Sequence, residues 1–430
     1  MLRTLKNTYH LGRALIANTR YGFPSRQMTV IGVTGTDGKT TTSSLIYHIL
    51  NEAGLKVAMI TTIGAYLGDK AIDTGFHVTT PSSMALNKYI SRAKKAGMQY
   101  LVLETTSHAL DQNRVAGISF DIAVLTNITH EHLDYHKTYN KYLAAKLKLL
   151  KKAKVAVLNM DDKSFGLVKR SLQKKIVYTY SLTNQKASFT PRKYPFNTRL
   201  LGHFNRANSL AAIAVAKRLK IADQDIRRAL LSFSAPIGRQ EMLYNKNFSV
   251  MVDFAHTPQA FLQILSDLKR KTKARLIHVF GSAGERDSSK RPFMGKASSK
   301  YSDIIILTAE DPRHESVSKI NKDIRSGVTK EFKELVNSQE LLAISQQKNI
   351  IKANSHQPAS TAKRGELIAK GKLLFEIPDR EEAIKFALSM AERGDFIVIT
   401  GKGHEQSMNL GQGEVPWSDV KVVKKYLPQD

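Results

Sequence analysis

The segment that most constrains the fold is residues 29–42, which read Thr-Val-Ile-Gly-Val-Thr-Gly-Thr-Asp-Gly-Lys-Thr-Thr-Thr. Its apolar, β-branched start, Val30 to Val33, predicts a buried parallel strand. A glycine turn follows, and apolar residues then recur at helical spacing between positions 45 and 50. A strand, a glycine loop and a helix in this order form a phosphate cradle, because backbone N–H groups and the helix N-terminus attract anions.

Two side chains in this loop carry specific expectations. Lys39 is expected to reach the β- and γ-phosphates of a nucleotide, and the Thr40 hydroxyl is expected to hold Mg²⁺. The general pattern also has a glycine where this chain has Val33, whereas the glycines here are at positions 32, 35 and 38. A plain turn of the same composition is the alternative, which the flanking strand and helix disfavour.

Strands and helices alternate beyond the loop and predict an α/β fold, with a mostly parallel sheet covered by helices on both faces. The predicted strands are residues 56–62, 100–104, 122–126 and 155–158, and the predicted helices are 82–96, 139–152 and 205–219. A second alternating region has predicted strands at 249–252, 276–280, 304–307 and 396–400 and a helix at 259–270. We therefore predict a P-loop-type central domain followed by a doubly wound, Rossmann-like C-terminal domain.

The predicted organisation is a basic N-terminal arm at residues 1–28, a central domain at 29–234 and a C-terminal domain at 235–430. A Ser-Ala-Pro-Ile-Gly turn near the second boundary suggests a linker, and a polar passage near 337–372 suggests an insertion. The arm is basic, and no acidic residue precedes Asp37. It resembles an organellar transit peptide or a surface helix, but a helix packed on the first domain is the plainer interpretation.

The composition narrows the functional classes. The 430 residues include no cysteine, which excludes disulfides, thiolate metal sites and cysteine nucleophiles. The formal net charge of +29 suggests anionic partners such as nucleotides, polycarboxylates, nucleic acid or a membrane surface, although scattered lysines could simply coat the surface. No apolar run has the length of a membrane span.

Further polar side chains follow the predicted strands. Glu104 ends one strand and could share Mg²⁺ with Thr40 if the two strands are neighbours. A cluster after the next strand comprises His130, Glu131, His132, Asp134 and His136. It suggests metal or phosphate contact, and the alternative is a set of structural histidines. Lys146, by contrast, looks like an ordinary lysine on a helix.

Several longer motifs occur together in a fixed order. They are Thr-Gly-Thr-Asp-Gly-Lys-Thr-Thr-Thr at 34–42, Thr-Thr-Pro at 79–81, Glu-Thr-Thr-Ser-His-Ala-Leu at 104–110, Thr-Asn-Ile-Thr-His-Glu-His-Leu-Asp-Tyr-His at 126–136, Tyr-Leu-Ala-Ala-Lys at 142–146, Gly-His-Phe-Asn-Arg-Ala-Asn at 202–208, Gly-Arg at 238–239, Val-Asp-Phe-Ala-His-Thr-Pro at 252–258, Phe-Gly-Ser-Ala-Gly-Glu-Arg-Asp at 280–287, Glu-Asp-Pro-Arg at 310–313 and Gly-Lys-Gly-His-Glu at 401–405. Over about residues 28 to 426 the chain resembles the Mur ligase family, and within it the members that add the third amino acid of the peptidoglycan stem.

This resemblance implies a cytoplasmic ligase that uses ATP and Mg²⁺ to form an amide bond for peptidoglycan synthesis. A substrate carboxylate would attack the γ-phosphate to give an acyl phosphate, and an incoming amine would then displace phosphate. The expected partners are small molecules, namely a nucleotide-linked muramoyl peptide and a diamino acid. No specific nucleic acid is expected.

The resemblance also implies roles for individual residues. The implied ATP-binding residues are Gly35, Thr36, Asp37, Gly38, Lys39, Thr40, Thr41, Asn208, Arg239 and Asp253. The implied catalytic residues are Lys39, Glu104, His132 and Lys146, and the implied metal-site residues are Thr40, Glu104, His132 and Lys146, the lysine as an N6-carboxylysine (carbamate). The muramoyl peptide would be held by Thr79, Thr80, Thr106, Gln112 and Arg114. The incoming amino acid would be read by Arg286, Glu310, Asp311, Arg313, Gly401 and Glu405.

The last group favours meso-diaminopimelate over L-lysine. Arg313 could pair with the distal carboxylate of diaminopimelate, and Glu405 could face its distal amine. Lysine has no such carboxylate and would leave Arg313 unpaired, which is costly.

Two departures from the family pattern affect these expectations. Only the basic arm precedes the glycine loop, whereas the subfamily usually has an N-terminal uridine-binding domain; the arm or a partner protein would then recognise uridine, or the acceptor would lack UDP. Glu131 and Glu310 replace the usual aspartates, and the usual Asn is Asp311, which shifts the reach of the side chains.

Three alternatives stay open at this point. One is a related ligase with another acceptor, of the folylpolyglutamate or cyanophycin type. Another is a non-catalytic nucleotide-binding scaffold, which the presence of Lys39, Glu104, His132 and Lys146 disfavours. The third is a nucleic-acid-associated ATPase, which lacks support because no basic strip is interleaved with aromatic residues.

Overall fold

The structure is a computed structural model that describes residues 2–68, 70–72, 80–129, 131, 133–335 and 371–428. The chain divides into two compact units, Met1–Pro236 and Ile237–Asp430. Among the predicted site residues, Thr79 and His132 lie outside the described residues, as does His130. The predicted polar insertion at 337–372 also lies outside them, apart from its last two residues.

The first unit is built on an eight-stranded sheet with the strand order β4-β3-β2-β5-β1-β6-β7-β8. Its strands are β1 (Thr29–Thr34), β2 (Val57–Thr61), β3 (Gly64–Leu67), β4 (Lys70–Ile72), β5 (Tyr100–Glu104), β6 (Ile122–Leu125), β7 (Val155–Asn159) and β8 (Ile176–Tyr180). All neighbours are parallel except the pairs formed by β3 with β2 and with β4. The predicted mostly parallel sheet is therefore confirmed.

Helices cover both faces of this sheet. They are α1 (Leu2–Arg20), α2 (Lys39–Glu52), α3 (Ser83–Lys95), α4 (Ser107–Asp111), α5 (Leu133–His136), α6 (Tyr139–Lys152), α7 (Phe165–Arg170), α8 (His203–Arg218) and α9 (Asp223–Ser232). Neighbouring residues of β1 point to opposite cores: Ile31 packs with α2, α8 and α9, whereas Val30 packs with α3 and α6. A Cβ on Gly32 would lie 2.9 Å from both Leu149 and Phe120, so this glycine allows close packing on the α6 side of the sheet.

The second unit contains a seven-stranded sheet with the strand order β13-β14-β12-β11-β15-β10-β9, which is parallel except for the β9–β10 pair. Its strands are β9 (Glu241–Asn245), β10 (Ser249–Asp253), β11 (Leu276–Phe280), β12 (Ile304–Leu307), β13 (Phe332–Leu335), β14 (Lys372–Glu376) and β15 (Phe396–Thr400). A separate antiparallel ribbon is formed by β16 (Ser407–Asn409) and β17 (Glu414–Pro416). The helices are α10 (Pro258–Lys271), α11 (Arg291–Ser299), α12 (Val317–Arg325), α13 (Arg380–Ser389) and α14 (Asp419–Tyr426).

The helix α1 occupies most of the predicted basic arm. It packs against α3, as the packed-helix interpretation predicts. Within the described part of the chain, no helix is both long enough and apolar enough to cross a membrane.

Most predicted elements occur within one or two residues of their expected bounds, and the strand at 100–104 and the helix at 139–152 match them. Ser82 caps α3 as expected, since its hydroxyl accepts a hydrogen bond from Ala85 N at 3.4 Å. The sequence pattern does not predict β3, β4 and β9. β3 and β4 have only four and three residues, which carry little periodic signal.

Candidate active site

The glycine loop connects β1 to α2 and contains the predicted residues Gly35, Thr36, Asp37 and Gly38. Lys39, Thr40 and Thr41 form the first turn of α2. Gly38 is the N-cap residue, has φ +78° and makes no side-chain cap, so the first backbone N–H groups of α2 remain free of a capping side chain. A helix N-terminus of this kind suits a phosphate.

The loop is held by the end of the neighbouring strand β6. Asp37 N donates to Asn127 Oδ1 at 2.9 Å, and Thr126 Oγ1 donates to Asp37 O at 2.6 Å. The Lys39 ammonium donates to Thr36 O at 2.7 Å, so its charge already lies over the loop. These hydrogen bonds hold the glycine loop in one conformation before any ligand binds.

Replacing Gly38 with alanine is expected to raise the KM for ATP by about 10- to 100-fold, on the scale of strain at a left-handed residue. The added Cβ would lie 2.4 Å from Asn208 Oδ1, and the positive φ is unfavourable for alanine. Steady-state kinetics over a range of ATP concentrations measure the effect. Gly54→Ala is the matched control, because Gly54 has φ +76° and nothing within 4 Å of its Cβ position; an equal rise in both variants would contradict a role for the Asn208 contact.

Thr40 and Glu104 meet at the carboxyl ends of β1 and β5, where Val33 is in register with Glu104. Thr40 Oγ1 donates to Glu104 Oε2 at 3.0 Å, and Thr62 donates to both carboxylate oxygens, through its N–H and its hydroxyl, at 3.2 Å. Glu104 is buried. The predicted proximity of Glu104 to the glycine loop is thus confirmed. The Thr40 hydroxyl and the Glu104 carboxylate are ligands of the type that Mg²⁺ prefers.

Lys146 looks like an ordinary helix lysine in its local sequence, but its side chain is fully buried on α6. Its ammonium donates to Gly35 O at 2.6 Å and lies 4.4 Å from the centroid of the Tyr142 ring. Burial and then the nearby Lys39 lower the pKa of Lys146 well below its ordinary value, against the opposing charges of Glu131 and Asp37. The amine therefore loses its proton more readily than a surface lysine does.

The four described residues among those predicted to hold the muramoyl peptide form one connected set. Thr80 Oγ1 accepts from Thr106 N at 3.1 Å and donates to Glu104 O at 3.2 Å. Arg114 donates to Thr80 O at 3.0 Å and to Gln112 Oε1 at 2.9 Å. The set therefore joins directly to the backbone of the Glu104 strand.

Asn208 lies behind the glycine loop on α8. Its Oδ1 accepts from Thr42 Oγ1 at 3.2 Å and its Nδ2 donates to Asn205 Oδ1 at 3.1 Å. Asn208 is buried, and its hydrogen bond from Thr42 connects α8 to the helix that follows the glycine loop. The predicted contact of Asn208 with adenine stays a prediction.

In the second unit, the predicted amino-acid-reading residues follow the neighbouring strands β11, β12 and β15. Lys402 is buried and pairs with Asp311 Oδ1 at 2.8 Å and with Glu405 Oε2 at 2.6 Å. Gly401 has φ +109° and leaves room for Glu310, whose Oε2 would lie 2.9 Å from a Cβ there. The structure thus brings Glu310, Asp311, Gly401 and Glu405 together at one edge of the sheet.

Glu310 is buried, and its Oε2 accepts no hydrogen bond among the described residues. Burial raises the pKa of Glu310 above its ordinary value, although Lys290, His256 and other cations nearby oppose this. Arg313 follows on the same loop with φ +53°, and its N–H donates to Asn409 O at 3.0 Å. Arg286 is exposed, and within the part of the chain that the structure describes no contact of its side chain supports its predicted role.

Arg239 and Asp253, the nucleotide contacts predicted for this unit, lie two residues before β9 and at the end of β10. Arg239 stacks on Phe254, with its guanidinium 4.3 Å from the ring centroid. Asp253 accepts hydrogen bonds from Gln240 N and Ala255 N, both at 2.7 Å. Burial raises the pKa of Asp253, while Arg239 opposes that rise. Their nucleotide contacts stay predictions.

Arg380 fastens the two loops that carry the amino-acid-reading residues. It is fully buried, donates to Ala309 O at 2.9 Å and to Thr400 O at 2.8 Å, and pairs with both oxygens of Asp419. Ala309 and Thr400 directly precede Glu310 and Gly401. The guanidinium therefore fixes the distance between these two backbone segments.

Comparison with known proteins identifies the family. The model of the Mur ligase middle domain matches residues 33–216, and that of the Mur ligase, glutamate ligase domain matches residues 238–356. A relative from Aquifex aeolicus (strain VF5), UDP-N-acetylmuramoyl-L-alanyl-D-glutamate--2,6-diaminopimelate ligase, is 36% identical over 96% of this chain and 80% of its own length. The chain belongs to the Mur ligase family. This Mur ligase is accordingly an enzyme of the ATP-dependent amide ligase class.

Other similarities agree with this result. A UDP-N-acetylmuramyl-tripeptide synthetase from Borreliella afzelii (strain PKo) is 37% identical over 96% of this Mur ligase and 79% of its own length. A solved structure of a UDP-N-acetylmuramoyl-L-alanyl-D-glutamate--2,6-diaminopimelate ligase has a TM-score of 0.59 and 30% identity, and the match covers 93% of this chain and 78% of the other. The E. coli FolC structure with ADP has a TM-score of 0.66 at 17% identity, with 91% and 90% covered, and shows the shared fold.

Sequence reasoning missed several residues that complete the site. Thr62, Thr126 and Tyr142 are not among the predicted site residues, although Thr62 holds Glu104 and Thr126 holds Asp37. Tyr142 contacts Thr36 Oγ1 at 3.0 Å through its hydroxyl. A usable signal exists for Tyr142, because it lies four residues before Lys146 on the same helix face.

Proposed function

We propose that this Mur ligase joins meso-diaminopimelate to UDP-N-acetylmuramoyl-L-alanyl-D-glutamate through an acyl phosphate. The observation that carries the proposal is the meeting of the glycine loop, the Thr40–Glu104 pair and buried Lys146 at one edge of the first sheet. The printed names of the relatives supply the acceptor and the amino acid. We also propose a cytoplasmic location, because the reaction consumes ATP and a nucleotide-linked precursor.

In the first step, an oxygen of the acceptor carboxylate attacks the γ-phosphorus of ATP. The bond from that phosphorus to the bridging oxygen breaks, and ADP leaves with the electron pair. Negative charge spreads over the phosphoryl oxygens during this transfer. The N–H groups at the start of α2 and the Lys39 ammonium stabilise that charge.

The donor atoms near the loop fit Mg²⁺. Thr40 and Glu104 would hold it, together with His132 and the modified Lys146 of the prediction. When bound, Mg²⁺ would neutralise charge on the phosphate oxygens. Within the described residues, no group of three or more histidine, aspartate or glutamate side chains could hold a metal by itself.

Lys146 is proposed to become a carbamate. Its neutral amine adds to the carbon of CO₂, and loss of one proton leaves an anionic carboxylate on the nitrogen. Only the deprotonated amine reacts, and burial lowers the pKa of Lys146 in the required direction. The modification would place an anion beside the Lys39 ammonium, and the two side chains would then attract each other.

In the second step, the deprotonated amine of the incoming amino acid attacks the acyl carbon, and phosphate leaves. The chain's part in this step is to read the amino acid. We propose that Arg313 pairs with the distal carboxylate of diaminopimelate and that Glu405, held by Lys402, faces the distal amine.

Replacing Arg313 with alanine is expected to raise the KM for meso-diaminopimelate about 10- to 100-fold, on the scale of charge-assisted hydrogen bonds. The KM for L-lysine should change much less, because lysine lacks the carboxylate that Arg313 would meet. Amino-acid-dependent phosphate release measures both constants. Arg393→Ala is the control, since Arg393 is exposed just before the amino end of β15; faster turnover of the wild type with L-lysine than with diaminopimelate would contradict the selectivity.

The proposed reaction itself is tested by a panel of acceptors and amines. Purified protein with ATP and Mg²⁺ should yield ADP and a new amide product, identified by mass, only with the muramoyl dipeptide and a diamino acid. The panel includes dihydrofolate with L-glutamate. Turnover with that pair alone would replace the proposed acceptor, and ADP without any amide product would overturn the ligase assignment.

A further inference from the structure

The burial of helix α1 is the reverse of what an amphipathic helix normally shows. Its fully buried side chains are small, namely Ala14, Ala17 and Asn18, each 0% exposed. From residue 6 onward, where burial is described, its large apolar side chains are exposed: Tyr9 to 61%, Leu11 to 38%, Leu15 to 50% and Ile16 to 62%. Surface helices ordinarily place their large apolar residues against the core.

The contacts that hold α1 explain this orientation. Asn18 Nδ2 donates to Ala116 O at 2.8 Å and to Ala14 O at 2.7 Å. A Cβ on Gly117 would lie 2.5 Å from Asn18 Nδ2, so the helix sits close against this loop. The small face is thus fixed inward by a specific polar anchor, and the large apolar face cannot turn inward without breaking that anchor.

The outward face alternates apolar and cationic side chains. Tyr9, Arg13, Ile16 and Arg20 follow one another at spacings of four, three and four residues and therefore share one face of the helix. The Arg13 guanidinium lies 5.6 Å from the Tyr9 ring centroid. No aspartate or glutamate occurs before Asp37, so the charge on this face is positive throughout. We name these four residues the outer strip.

We propose that the outer strip docks on an anionic lipid bilayer, with Tyr9 and Ile16 entering the interface and the two arginines meeting lipid phosphates. Helices with apolar and basic residues of this kind lie in the plane of such interfaces. A second copy of the chain is a poorer occupant, because two outer strips face to face would bring like charges together. This inference goes beyond the proposed ligation and does not depend on it.

Vesicle co-sedimentation of the full chain tests the proposal. Binding is measured with phosphatidylcholine vesicles and with vesicles that also contain phosphatidylglycerol, at low and at high salt. The double variant Tyr9→Ser, Ile16→Ser keeps every charge and should bind the anionic vesicles at least about tenfold more weakly, because it loses the buried apolar area. Phe293→Ser is the matched control, since Phe293 is also 62% exposed but lies in the second unit.

The same experiment has outcomes that overturn the proposal. Equal binding by the wild type and the double variant would mean that the net charge alone attracts the vesicles. An absence of binding to anionic vesicles would reject a lipid surface, and a lipid-free dimer that the double variant dissociates would assign the outer strip to contact between copies. Ligation without vesicles should be the same in all three proteins, which separates this result from the proposed function.

Discussion

Replacing Lys146 with alanine should lower the rate of ligation by about 100- to 1000-fold, the usual effect of removing one group that stabilises transferring charge. Under the proposal, the variant loses the carbamate that would help to hold Mg²⁺ beside Thr40 and Glu104. Release of ADP and formation of the amide product, followed under saturating substrates, measure the loss. Lys151→Ala is the control, because Lys151 is an exposed lysine on the same helix.

Two further measurements separate a chemical role of Lys146 from a structural one. With ¹³C-bicarbonate, the wild type should give a carbamate resonance that the Lys146→Ala and Lys146→Arg variants lack. Because burial lowers the pKa of Lys146, the neutral amine persists to lower pH than in a free lysine, and the resonance should disappear only when the pH falls through that lowered pKa. Unchanged ligation in Lys146→Ala would remove the carbamate from the mechanism.

Arg380→Met should destabilise the second unit by about 3–5 kcal/mol, the cost of removing one partner of a buried ion pair. The variant leaves Asp419 buried with Trp417 Nε1 as a remaining donor at 2.8 Å and unpairs the carbonyls of Ala309 and Thr400. Denaturant unfolding followed by tryptophan fluorescence suits this measurement, because Trp417 is the only tryptophan in the chain.

Two companion variants make the Arg380 result interpretable. Lys425→Met breaks an exposed ion pair with Glu381 and should lower the free energy of unfolding far less than Arg380→Met does, because water screens exposed charges. Adding Asp419→Leu to Arg380→Met removes the unpaired charge and should recover part of the stability. Equal losses from Lys425→Met and Arg380→Met would contradict the account of a buried clamp.

The sequence predicted the structure best where an apolar strand pattern is followed directly by polar site residues. The β-branched run before the glycine loop predicted β1, and Glu104 and the loop met because β1 and β5 are neighbours in the sheet. The second sheet followed from the same alternation of strands and helices. In each case, the residues that predict a strand or helix are close together in sequence, so the prediction does not depend on tertiary packing.

Other features depend on packing that no local pattern encodes. Lys146 looks ordinary on its helix, and its lowered pKa arises only because α6 presses it against Gly35 and Tyr142. The partnership of Arg380 with Ala309 and Thr400 joins positions that are distant in sequence. The orientation of α1 depends on the hydrogen bond from Asn18 to Ala116 O, which composition cannot reveal.

The hydrogen bond from Lys39 to Thr36 O has a thermodynamic consequence for nucleotide binding. The ammonium has three N–H donors, so it can keep this contact and still donate to a phosphate oxygen. Thr36 O therefore holds the cation over the loop before a nucleotide arrives, and less side-chain freedom is lost when the nucleotide binds.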